Sequence, residues 1–165
     1  MILNGKYLLE AAPIKDMLTT KERAHGVSHG LGEAGYDIRL KQTIEFRRSD
    51  DPRYGPRIYV NGIDKAGNFT IASTIEEFQM PDYLVGIVHD KSTWARRGLS
   101  VFNTVIEPGW NGFLTLELVY HGPGNLLIPA GAGIAQVVFH HLVENVSYEG
   151  KYQNQEDKPV GAING

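Results

Sequence analysis

The strongest constraint on this chain's fold is a two-residue alternation of apolar and polar positions that recurs in segment after segment. It runs through "YDIRLKQTIEF", "RIYVNGID", "NFTIASTIEEF", "YLVGIVHD", "LSVFNTVI", "NLLIPAG" and "GIAQVVFHHL", each cut off by Gly, Pro, Asn or Asp. A period of two places alternate side chains on opposite faces of a β-strand. In "GWNGFLTLELVY" it sets Leu114, Leu116, Leu118 and Tyr120 on one face, and Phe113, Thr115, Glu117 and Val119 on the other. Many short strands at roughly 8–12-residue spacing, with no helices between them, predict a barrel or a jelly-roll-like sandwich. Asn61-Gly62 is a turn signal, and "YHGPGN" predicts a hairpin between its flanking strands. Helix signals are confined to "KYLLEAAPIKDMLTTKERA", which predicts one or two short N-terminal helices with Pro13 interrupting the pattern.

A chain of 165 residues suits one domain, 1–165, able to bury a core without staples. It contains no cysteine, which removes disulfides, a thiol nucleophile and cysteine-liganded zinc from consideration. The formal net charge of −3 argues against a nucleic-acid-binding surface. No apolar run is long enough to cross a bilayer, so a membrane partner is not expected. The N-terminal "MILNGKYLLEAAP" lacks the charged start, apolar middle and cleavage site of a signal peptide, and a cytoplasmic location is the expectation.

Three stretches concentrate chemistry. In "HDKSTWARRGL", Lys91, Ser92, Thr93, Arg96 and Arg97 place cations beside hydroxyls, the groups that hold phosphate oxygens. A solvated basic loop has the same composition. In "EPGWNG", Glu107 and Trp110 flank a Pro-Gly turn leading into the strand that carries Glu117; Trp residues in such places most often anchor a core. In "EAGYDIRL", Asp37 reads as a turn residue or a buried hydrogen-bond acceptor. The polar stretch after the last apolar strand, 148–165, is either a frayed end or a mobile lid whose Tyr148, Lys151, Tyr152, Gln153 and Gln155 close over a charged ligand. The six histidines form no His-x-Glu or His-Glu-x-x-His pattern, so no protein metal ligands are expected. No Gly-x-Ser-x-Gly elbow supports a Ser-His-Asp set, which spacing alone leaves open.

Taken in order, "AGYDIRL", "KSTWARRGL", "IEPGWNGFLTLEL", "AGAGIAQVVF" and "GKYQNQ" resemble the dCTP deaminase and trimeric dUTPase superfamily across residues 34–155. The resemblance implies a mainly β fold, a distorted, jelly-roll-related barrel of the dUTPase type. It implies a homotrimer that binds a deoxynucleoside triphosphate between chains, with Mg²⁺ carried by the triphosphate and no zinc. In the deaminase branch the strand glutamate after the Gly-Trp turn is the general base, which is similar to Glu117 here. That branch's Ser-Ser-x-x-Arg block is similar to Ser92, Thr93 and Arg96, and its tail pattern to Lys151, Tyr152 and Gln155. The resemblance also nominates Lys91, Gln136 and Tyr148 for substrate contact.

A dUTPase would carry Tyr in place of Trp110 and end in a Gly-rich, Arg-containing tail, so the match is nearer the deaminase branch. Other features lean the other way. "SVFNTVIE" is shorter than the loop that lines the cytosine pocket in typical deaminases, which makes Asn103 and Thr104 the candidates for base recognition. "AGYD" is nearer a dUTPase first motif, and Glu107 stands where dUTPases have a water-orienting Asp. The reading is therefore dCTP deamination to dUTP and ammonia, with a dUTP diphosphatase or a bifunctional enzyme as its rival. A non-catalytic nucleotide-binding regulator is the alternative of a different class. A modified cytosine as substrate is a further one.

Overall fold

The computed structural model describes residues 1–49, 51 and 53–164. In chain order the elements are β1 (Ile2–Leu3), α1 (Gly5–Ala11), β2 (Lys21–Ala24), β3 (Val27–Leu31), β4 (Tyr36–Arg39), β5 (Ile44–Arg47), β6 (Arg57–Val60) and β7 (Ile63–Ala66). There follow β8 (Phe69–Gln79), β9 (Leu84–Asp90), α2 (Ser92–Ala95), β10 (Leu99–Val101), β11 (Val105–Ile106), β12 (Asn111–Tyr120), β13 (Leu126–Ile128) and β14 (Gly133–His141). They form three sheets, ordered β11-β9-β14-β4-β3-β2 with β1 added on β14, then β10-β12-β8, and β13-β5-β6-β7. All named pairs are antiparallel. The fold is mainly β, as the alternation predicts, and its inward faces meet in one core that includes Ile38, Phe46, Phe78, Leu116, Leu118 and Phe139.

Several local expectations change. One helix forms at the N-terminus, α1, and the Lys21–Ala24 end of the expected helical stretch is strand β2, paired with β3. "YHGPGN" is not a hairpin: it carries the chain from β12 in one sheet to β13 in another. Asn61-Gly62 does close a hairpin between β6 and β7, with both residues at positive φ, 48° and 81°, as a two-residue type I′ turn requires. No described helix is long and apolar enough to cross a membrane.

β12 lies between β10 and β8, so both of its edges are paired. Side chains on such a strand are held more tightly than side chains on a loop. Its pairing with β8 is interrupted. Between the Phe113–Glu77 and Thr115–Ser73 pairs, four steps of β8 face two of β12. The gap is filled by Thr74, whose Oγ1 accepts from the Leu114 N–H at 3.1 Å and donates to the Glu76 carbonyl at 2.8 Å.

Candidate active site

A cavity of about 630 Å³ opens beside β12. Glu117 and Thr115 face it from the strand, Thr104 and Glu107 from the loop before it, and Trp110 from the turn between. The polypeptide after β14 supplies Tyr148, Tyr152 and Gln155.

The turn is built by its sequence. The Trp110 N–H donates to the Glu107 carbonyl at 3.2 Å, with Pro108 at the second position and Gly109 at φ 73° in the third. This is the residue order of a type II turn. It buries the Trp110 ring against Phe78, centroids 6.1 Å apart, so the residue is a core anchor as well as a wall of the cavity.

Glu117 is half-buried. Ile71 pairs with it across β8, and its own carbonyl accepts from the Phe102 N–H at 3.0 Å. Burial pushes its carboxyl above the usual carboxylate range, only partly opposed by a backbone hydrogen bond. The apolar surroundings differ from those the alternation suggests. At the β8 irregularity Phe113 turns to a separate small pocket with Arg39 and Glu76, and Lys41 Nζ sits 5.7 Å from its ring centroid. Val119 pairs with Phe69, and it is Phe69, stacked on Phe102 at 6.3 Å, that reaches the cavity. Ile71, Leu114 and Val105 complete the apolar wall.

The tail is hydrogen-bonded to its own chain across this opening. Trp110 Nε1 donates to the Tyr152 carbonyl at 2.6 Å, and Gln153 Nε2 donates to the Gly109 carbonyl at 2.9 Å. The Phe113 N–H donates to the Gln155 carbonyl at 3.1 Å. Gly112, at φ 128°, makes room: a Cβ there would lie 2.5 Å from Gln155 N. Thr115 Oγ1 accepts from the Val160 N–H at 3.0 Å and donates to Gln155 Oε1 at 3.2 Å. Lys151 Nζ bonds the Ile163 carbonyl and does not reach the cavity. Gly165, the last residue of the expected lid, lies outside the described residues.

The phosphate-like block lies elsewhere. Lys91, Ser92, Thr93 and Arg96 do not line the cavity. Trp94, buried and donating through Nε1 to the Gly133 carbonyl at 2.6 Å, anchors α2 and leaves Ser92 and Arg96 exposed with Thr93 half-buried. Lys91 is paired with Asp37 at 2.5 Å, and Asp37 is the buried acceptor its sequence context suggests, taking a further bond from Ser28 Oγ at 3.1 Å. Gln136 sits beside this pair, in register with Asp37 and His89 on β14. Asn103 is exposed and outside the cavity, whereas its neighbour Thr104 is inside. The candidate residues thus fall into two separate groups: an acid in an apolar cavity, and a hydroxyl-and-cation cluster around α2.

Sequence reasoning missed the cavity's Lys65, Phe69, Thr115 and the Val160–Ala162 segment. Only Thr115 carried a usable signal, since it shares the face of Glu117. The others come from elements whose approach is set by sheet packing.

Residues 8–142 match a family model described as dCTP deaminase-like. The chain is 34% identical to a dCTP deaminase of Herpetosiphon aurantiacus over 162 residues, covering 88% of each chain. It is 39% identical to one from Campylobacter jejuni over 145 residues, covering 78% of each. Among solved structures, the dCTP deaminase of Agrobacterium tumefaciens superposes with TM-score 0.56 at 15% identity, over 84% of this chain and 47% of that one. The EIAV dUTPase superposes with TM-score 0.51 at 20% identity, over 86% and 92%. These two likenesses bear on the fold.

Proposed function

This chain belongs to the dCTP deaminase-like family, and from that premise we propose that it hydrolyses the 4-amino group of dCTP, giving dUTP and ammonia. The observation that carries the reading is Glu117: a carboxylate raised in pKa by burial, on a doubly paired strand, in a cavity walled by apolar side chains. A carboxyl lifted toward neutrality can take a proton and return it. Glu117 removes a proton from a water beside C4, and the hydroxide so formed attacks C4. The same carboxyl passes that proton to N3, then takes the proton of the new C4 hydroxyl and delivers it to the amino group, so that the C4–N bond breaks, ammonia leaves and the C4 carbonyl of uracil remains.

Arg96 and Ser92 enter this scheme from a second copy of the chain. Their separation from the cavity within one copy supports a homotrimer with sites between subunits, in which α2 of one chain faces Glu117 of the next. Ser92, Thr93 and Arg96 then hold phosphate oxygens and orient the water or the carboxylate. Among the described residues no group of three or more His, Asp or Glu side chains is placed to hold a metal ion. Mg²⁺ is brought in on the triphosphate, where it neutralises phosphate charge. The working place is the cytoplasm, where free nucleotides are the substrate.

A second reading, cleavage of dUTP to dUMP and pyrophosphate, draws on Glu107, which faces the same cavity. One assay separates the two: ammonia and pyrophosphate measured together on dCTP and on dUTP. Ammonia from dCTP with the triphosphate intact is the expected outcome. Pyrophosphate from either nucleotide supports the second reading, and binding of dCTP without turnover makes the chain a regulator.

A further inference from the structure

We propose that copies of this chain pack together through the outer face of the seven-stranded sheet, and that protonation of His140 within that face takes the assembly apart in acid. The proposal rests on the reading of sites shared between copies, and adds to it a surface and a control.

In β9 and β14 both faces are largely apolar. Leu84, Val88, Val137 and Phe139 are fully buried in the core, while Val85, Ile87 and Val138 point the opposite way and are half-buried. An antiparallel sheet with one covered face ordinarily carries polar residues on the other. The registers join these outward residues into a strip. His140 lies between Ile2 of β1 and Val85 of β9, and Val138 lies beside Ile87, which pairs in turn with Val105 of β11. Ile2 is 49% exposed and Val105 50%. A connected apolar strip left open to water marks a contact surface.

Its position says what covers it. At the β11 edge, Val105 also lines the Glu117 cavity. Along β14 and β9 the same face continues into Gln136, His89 and the Asp37–Lys91 pair, and Lys91 leads directly into α2. One face therefore borders both groups of site residues that a single copy holds apart. Packing that brings the α2 end of one copy to the cavity end of the next covers the strip between them. The contact is head-to-tail, the kind that forms a ring when its rotation closes.

His140 is the titratable member of the strip. Histidine is the side chain whose charge ordinarily changes between about pH 5 and 8. Protonated, it carries a charge into a contact where its neighbours Ile2, Val85 and Val138 offer no counter-charge, and burying an unpaired charge is costly. The other charged or titratable groups on this face lie at its far end: His89, Arg39 and the Asp37–Lys91 pair. The Asp37 carboxylate is already taken by Lys91 and Ser28. The Met1 amino group, next to Ile2, adds a cation and no counter-charge. His141 alternates to the opposite face, where its Nδ1 bonds the Leu142 carbonyl beside Tyr83. Protonation of His140 thus opposes the packing, and assembly is lost as the pH falls.

Sedimentation of the full chain at about pH 7.5 and about pH 5.5, with circular dichroism to follow the fold, tests this. The parent is expected to be oligomeric at the higher pH. At the lower one its half-assembly concentration is expected to rise about tenfold or more, with the β signal unchanged. His140→Leu is expected to stay assembled at both, whereas His89→Gln should dissociate as the parent does. Ile2 is open to water in one copy, so Ile2→Lys tests the surface without burdening the fold, and is expected to be monomeric at both. An oligomer equally stable at the two pH values, one that tightens in acid, or a His140→Leu that still dissociates would overturn the control by His140. An assembled Ile2→Lys would overturn the surface. A parent monomeric at both would overturn the reading of shared sites and this proposal with it. Ammonia release is not among these readouts, so the deaminase reading stands or falls on its own assay.

Discussion

Glu117 derives its character from its neighbours. A glutamate in an alternating strand is ordinarily solvated; here Ile71 faces it across β8, and the cavity beside it has apolar walls. Its raised pKa makes two expectations of opposite sign. Activity needs the carboxylate, so turnover should fall as the pH drops through that raised value. Stability runs the other way. The folded chain binds the proton more tightly than the unfolded one, so the cost of burying the charge is absent below the ordinary glutamate value and grows as the pH rises through the folded pKa. Glu117→Gln should therefore lower ammonia release by about 10²–10⁴-fold. It should also raise the thermal midpoint slightly at neutral pH, with that gain vanishing below the ordinary glutamate value. Calorimetry at the two pH values checks the second effect, and near-normal turnover would remove Glu117 as the base.

At the scale of elements, the site depends on three junctions with β12: the Glu107–Trp110 turn that leads into it, the β8 irregularity opposite it, and the docked tail. The tail's docking rests on one glycine. At Gly112 a Cβ would lie 2.5 Å from Gln155 N and 2.6 Å from Gln155 O, both backbone atoms with little room to yield, and φ is 128°. Gly112→Ala is expected to release residues 148–163 while leaving the packed sheets in place. Limited proteolysis should then cut after Lys151 in the variant and spare the parent, and kcat/KM for dCTP should fall about tenfold or more, as misplaced positioning groups commonly cause. Equal resistance of the two proteins would show that the tail is held by other contacts.

For the whole molecule, the separation of the α2 cluster from the Glu117 cavity makes a prediction about copies of the chain. Arg96→Ala and Glu117→Gln should each be inactive alone. After the two are unfolded and refolded together, about one quarter of the interfaces in a random closed ring would pair an intact Glu117 with an intact Arg96. Recovery of ammonia release on co-refolding, absent when the two are merely mixed on ice, is the expected result. No recovery in oligomers shown to contain both variants would place both groups within one chain's site.

The alternation in the sequence by itself determined the strands from β4 onward, because a period of two admits no other regular structure, and the spacing of Gly and Pro determined most of their ends; the strands before Tyr36 were set by pairing. The order of the motifs carried the family, and the position of Glu117 behind the "PGW" turn singled out the acid. Tertiary structure decided the rest. Phe113 leaves the face of Glu117 because β8 has extra residues opposite it. Lys91 is paired with Asp37, and the cavity's walls include Phe69, a residue remote in sequence. Thr115 acquires its two partners only because the tail crosses β12 at Gly112. Periodicity records which face a side chain takes on its own strand; what stands opposite that face is set by contacts between segments far apart in the chain.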